Sequence, residues 1–141
     1  MSDRSDDAAR YFDAGEVERA EGAVPRWVEI AEIDPILFAR GLEFRPLLGE
    51  NVLVNFVSYE PHTDVPRHAH EEEQVTFVID GEFEFECDGE TRTLRRGSVV
   101  HIPPGVPHAA RTRETSCFQI DVFSPPRRVL VEAMTGRTPP A

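Results

Sequence analysis

The sequence predicts an all-β fold, a small antiparallel barrel or sandwich with short helical or irregular ends. Apolar, β-branched and aromatic runs recur along the chain, separated by Gly, Pro, Asn and Asp turn signals at the spacing of short strands. Two histidines, His68 and His70, stand two residues apart, and a third, His108, lies far along the chain after Pro103-Pro104-Gly105. If these imidazoles meet at one interior point, the sheet must curl until distant segments face each other, which selects a small barrel. A length of 141 residues with 40% hydrophobic content and nine Phe is enough for one domain with a real core, and not for two.

Taken in order, residues 1–23 form a polar, acidic arm. Ala8, Ala9, Tyr11, Phe12, Val17 and Ala20 suit one side of a short helix, weakened by Gly15 and either frayed or packed. Trp27-Val28-Glu29-Ile30 alternates like a strand, and Asp34-Pro35 breaks it. Strands are expected from Gly41 to Leu48 and from Val52 to Tyr59, with Glu60-Pro61-His62 turning the chain toward the histidine pair. Gln74 to Ile79 alternates, Asp80-Gly81 marks a tight turn, and Glu82 to Cys87 alternates Phe with Glu before a hairpin turn at Asp88-Gly89. Thr91–Leu94, Ser98–Ile102, Ala109–Thr112 and Ser116–Phe123 complete the set. The barrel therefore spans 24–126, and 127–141 holds a short helix, Arg127–Met134, and a loose tail from Thr135 to Ala141.

Composition narrows the function. A net charge of −11 opposes nucleic acid, whose phosphates would meet a field of their own sign. The sequence has no apolar run long enough for a membrane helix, and its first residues lack the pattern of a signal peptide, so a cytoplasmic protein is expected. Cys87 and Cys117 give no disulfide framework and read as strand-borne apolar groups. All fifteen basic residues are Arg, which fits a coding bias in a G+C-rich genome or the acid surplus of a halophile.

The residues that carry chemistry cluster around the histidines. On a strand, His68 and His70 point to one face, and Gln74 joins them if the strand continues. With His108 they form a neutral ligand set for one divalent transition metal (Zn, Ni, Mn or Fe), with positions open for water or substrate. Neutral ligands leave the ion its full charge, which favours Lewis-acid work on an anionic substrate. Glu71-Glu72-Glu73 reads as a solvated loop, His62 as a turn residue, and His101 as a partly buried structural histidine with a proton shuttle as the alternative. On the last strand Gln119, Asp121 and Phe123 share a face. Asp121 then moves protons while Arg127 holds a substrate carboxylate, or the two merely form a salt bridge.

The pattern H-x-H-x3-[E/Q]-x6-G followed by G-x5-P-x-G-x2-H resembles the cupin double motif. It is carried here by His68, His70, Gln74, Gly81, Gly97, Pro103, Gly105 and His108. His62 replaces a Gly usual before the first histidine, and Thr112 replaces an Asn sometimes found after the last; neither removes a ligand. The resemblance implies a double-sheet jelly roll and a homodimer. The segments Gln74-Val75-Thr76-Phe77, Gly81–Phe85 and Asp121–Arg127 further resemble the small pectin-degradation cupins, the KdgF-like group. That group converts the ring form of 4,5-unsaturated uronates to a linear keto product. The likeness implies His68, His70, Gln74 and His108 as metal ligands, and Asp121, Phe123 and Arg127 as the substrate site, with Gln119 beside them. The expected activity is thus non-redox isomerisation of a small anionic sugar acid. The alternatives are an Fe(II)-dependent dioxygenase, a non-catalytic small-molecule sensor, and a cyclase or isomerase of a secondary metabolite.

Overall fold

The computed structural model describes residues 4–13 and 15–136. Among them nine strands form one curled antiparallel sheet: β1 (Ile36–Ala39), β2 (Leu42–Leu48), β3 (Leu53–Tyr59), β4 (Asp64–His68), β5 (Glu73–Cys87), β6 (Glu90–Arg95), β7 (Val99–Ile102), β8 (His108–Arg111) and β9 (Cys117–Ser124). Helix α1 (Arg4–Phe12) precedes them and α2 (Arg128–Met134) follows. The strand order is β1-β2-β3-β9-β5-β8-β4, with β6 and β7 also paired to β5. This is the all-β barrel that the alternating pattern predicts and the jelly roll that the cupin resemblance implies.

β5 is the axis of the fold, and it corrects one expectation. Asp80-Gly81 is not a tight turn; the strand continues through it from Glu73 to Cys87. Its first half pairs with β9 and β7, while its second half pairs with β6 and β8. The register shifts between Val78 and Asp80, and Gly81 takes a φ of 74°, so a bulge and a left-handed glycine bend the strand from one layer into the other. The Asp88-Gly89 hairpin does form as read, with positive φ at both central residues. His62 likewise occupies the left-handed region at φ 56°.

The core lies between the layers. Leu42, Val57, Tyr59, Val78, Phe83, Phe85 and Ile102 form its main cluster, and Leu53, Phe123 and Leu130 a second that seats α2 against the barrel. Trp27–Ile30 is not a strand: Trp27 is exposed, Ile30–Glu32 forms a single 3₁₀ turn, and β1, which the sequence reading did not assign, supplies the edge instead. A strand needs a neighbour for its backbone groups, and alternation alone does not supply one. Segment 26–33 is tied to β2 by polar bonds: Arg26 donates to the Leu48 carbonyl, and Arg45 to those of Ala31 and Ile33. Helix α1 ends at Phe12, short of Val17 and Ala20, and its aromatic residues are exposed. Of the predicted C-terminal tail, residues 137–141 lie outside the described residues.

Candidate metal centre and its pocket

His68, His70 and His108 bring one ring nitrogen each to within 4.8 Å of one another. They do not arrive by one strand face, as expected. β4 ends at His68, His70 stands in the loop beyond it, and Gln74 returns on β5. His108 opens β8, where it is registered opposite His68. Each ring is oriented in the same way. His68 Nδ1 lies 2.8 Å from the Pro66 carbonyl, His70 Nδ1 2.9 Å from that of Glu72, and His108 Nδ1 2.9 Å from that of Val106. A carbonyl can only accept, so each Nδ1 carries the proton and each Nε2 offers a lone pair to the shared space.

That space suits a cation. His108 Nε2 is buried and, among the described residues, has no hydrogen-bond partner. Gln74 Nε2 donates to Thr76 Oγ1 at 2.7 Å and to Asp121 Oδ1 at 3.0 Å, which turns Gln74 Oε1 toward His70 Nε2, 3.0 Å away. With the proton on Nδ1, this contact sets one lone pair against another, which a neutral protein would avoid. A cation held by both atoms would relieve that repulsion. Burial favours the neutral form of two of the rings: it pushes His108 down to about 4 and lowers His70, where the nearby Arg127 charge adds to it.

The same cavity, about 420 Å³, is lined by Asp121, Gln119, Phe123 and Arg127. β9 buries alternate residues, which delivers Gln119, Asp121 and Phe123 to the interior together. Phe123 meets His70 edge-on at 5.6 Å between centroids. Asp121 lies between Asn55 on β3 and Thr76 on β5 in the strand register. Its Oδ1 accepts from Thr76 Oγ1 at 2.6 Å as well as from Gln74, and its Oδ2 from Gln119 Nε2 at 3.2 Å. Burial raises the Asp121 pKa, and these three donors only partly oppose it.

Asp121 and Arg127 do not pair with each other. Arg127 lies 3.4 Å from Glu72, a residue that the sequence reading had assigned to a solvated loop. Glu72 is 3% exposed. Its Oε2 accepts the Arg128 N–H at 2.8 Å, and its backbone carbonyl faces His70 Nδ1. Burial alone would raise the Glu72 pKa, but the Arg128 N–H and its own N–H, with Arg127 and His70, hold it below the usual carboxylate range. Three consecutive Glu carry no sign of which one turns inward; only the inward Gln74 two residues on hinted at the parity. Asn55 was also missed, since a lone Asn inside an apolar strand reads as an irregularity. His101 is exposed, not partly buried, and pairs with Glu73 at 2.7 Å. Burial raises both thiols, Cys117 to about 12.

The Cupin domain model matches residues 55–122, a segment from β3 into β9 that carries His68, His70, Gln74, His108 and Asp121. An uncharacterized protein of Streptomyces coelicolor is 32% identical over 80 residues, 57% of this chain and 76% of that one. The chain belongs to the cupin superfamily. Among solved cupins, KdgF from Halomonas sp. superposes with a TM-score of 0.71 at 26% identity, over 76% of this chain and 99% of that one. H2HPP isomerase of Bacillus subtilis is 39% identical over 73 residues, half of this cupin but only 30% of that longer protein.

Proposed function

We propose that this cupin is a metal-dependent isomerase of a small anionic sugar acid, and that its reaction is the linearisation of a 4,5-unsaturated uronate. The observation that carries the reading is the placement of a buried carboxylate, Asp121, and a guanidinium, Arg127, on the walls of the cavity into which three histidine Nε2 atoms converge. The likeness to KdgF and to an isomerase supports it. His68, His70, His108 and Gln74 would hold a divalent metal, which when bound supplies a Lewis acid for a substrate oxygen.

Arg127 would hold the substrate carboxylate by paired N–H donors, and Phe123 would flank the ring. Asp121 would take the proton of the anomeric hydroxyl as the C1–O5 bond breaks, leaving an aldehyde at C1 and an enolate at C5. Return of a proton to C4 gives the 5-ketone. One proton leaves, one arrives, and no oxidant is consumed. A carboxylate whose pKa burial has raised is suited to both halves of that exchange.

The test follows loss of the ultraviolet absorbance of freshly generated 4,5-unsaturated galacturonate over its spontaneous opening. Metal-loaded protein should accelerate the loss, while chelator-treated protein and His108→Ala should fall to the baseline. Asp121→Asn should lower kcat by about 10²-fold or more with metal content unchanged. A wild-type rate equal to the baseline would reject the uronate reading.

A further inference from the structure

Two amide side chains in the pocket are buried beyond what the fold needs. β3 sends Leu53, Asn55, Val57 and Tyr59 inward, and Asn55 breaks that apolar row at 1% exposure. Gln119, 2% exposed, stands in the next strand, one step along from the Asn55–Asp121 register pair. Gln119 Nε2 is committed to Asp121 Oδ2, which fixes the amide and leaves Oε1 as the free end. Among the described residues neither Asn55 Oδ1 nor Gln119 Oε1 has a hydrogen-bond partner, and both residues line the cavity. An unpaired buried acceptor costs free energy that a leucine of similar volume would avoid. Both residues lie beside Asp121, whose negative charge would repel a ligand carboxylate.

We infer that Asn55 and Gln119 are an acceptor pair that binds the hydroxyl groups of the ligand, so that the pocket selects polyhydroxylated carboxylates over plain organic acids. The inference rests on the proposed function for the position of the carboxylate at Arg127. It adds an orientation: carboxylate toward Arg127, hydroxyl-bearing carbons toward β3 and β9. A site with buried acceptors discriminates strongly against an analogue that lacks the donors, because the acceptors then stay unpaired.

The experiment measures binding, not turnover. Calorimetric titration of the metal-loaded protein with D-galacturonate and with tetrahydropyran-2-carboxylate compares the same ring and carboxylate with and without hydroxyls. Wild type should prefer galacturonate by about tenfold or more, at roughly one order of magnitude per good hydrogen bond. Asn55→Leu and, separately, Gln119→Met should shrink that preference while leaving the affinity for the plain acid within about twofold. The melting temperature of Asn55→Leu should be unchanged or higher, since an unpaired polar group has been removed. Equal wild-type affinity for the two probes, with Arg127→Ala weakening both, would overturn the acceptor pair and leave the carboxylate site standing. A preference untouched in both variants would overturn it too. Probes that fail to bind, or that bind Arg127→Ala as well as wild type, would remove the proposed function and this inference together.

Discussion

Glu72 joins two parts of the site through one residue. Its backbone carbonyl fixes the His70 ring, and its side chain holds Arg127 beside the cavity. Glu72→Ala frees the guanidinium, leaves it half-buried without its partner, and opens a gap under α2. The expected loss is on the order of 1–3 kcal/mol, below the full cost of breaking a deeply buried pair because Arg127 keeps some solvent contact. Kinetically the change should appear as a KM for the anionic substrate raised about tenfold with a smaller fall in kcat, and Glu72→Gln should recover part of it. Urea unfolding and steady-state kinetics check both; an unchanged KM would show that Glu72 only packs. The thiols offer a second residue-scale prediction. Cys117 is buried and pushed up to about 12, so at pH 8 it carries almost no thiolate and should stay inert to a disulfide reagent until the protein unfolds. Fast labelling of both cysteines in the folded protein would contradict this burial. At this scale the sequence showed which histidines would converge, because their motif spacing is specific. It hid Glu72, because three consecutive Glu read as a solvated loop, although even spacing from His70 and Gln74 would put Glu72 on their face.

Strands were legible wherever one face meets the core, because alternation records that directly: β3 and β9 bury every second residue. Connections were less legible. Asp80-Gly81 is the strongest short turn signal in the first motif, yet a positive-φ glycine serves a bulge as well as a reversal, and only the neighbouring strands decide. Here β9 pairs with β5 up to Gly81, and β6 and β8 take over beyond it, so the chain bends and does not reverse. The bend brings the backbones close: a Cβ on Gly81 would collide with the Ser116 carbonyl oxygen. Gly81→Ala therefore meets both a strained φ and a backbone clash, unlike Gly97→Ala or Gly105→Ala, where a Cβ meets open space. The expected loss for Gly81→Ala is on the order of 3 kcal/mol or more, against about 1 kcal/mol for the other two, by chemical denaturation. Equal losses at all three would show that the strand crossing tolerates movement.

Across the whole molecule, the acidic composition bears on solubility and ligand approach, while stability near the site depends on where the chain places its polar atoms. The fold closes two layers over a pocket in which one buried histidine nitrogen lacks a partner among the described residues and a glutamine oxygen faces another histidine's lone pair. Such a site is assembled by folding, because its candidate ligands come from β4, the loop after it, β5 and β8 and are scattered in the unfolded chain. A cation that binds the folded state alone must then stabilise it. At about 100 times its dissociation constant the gain is roughly 2.7 kcal/mol, which for a domain of this size raises the melting temperature by roughly 10 °C. Thermal unfolding of chelator-treated protein, titrated with Zn²⁺, Ni²⁺ or Mn²⁺, should show that rise and rank the metals. His108→Ala removes the partnerless Nε2 and should abolish most of the rise, whereas His101→Ala, on the exposed face of β7, should retain it. The control separates the pocket from incidental histidine binding: equal rises in wild type and His108→Ala would place the cation elsewhere. A rise that depends on His108 and not on His101 would make the convergent nitrogens the origin of both the metal affinity and the added stability.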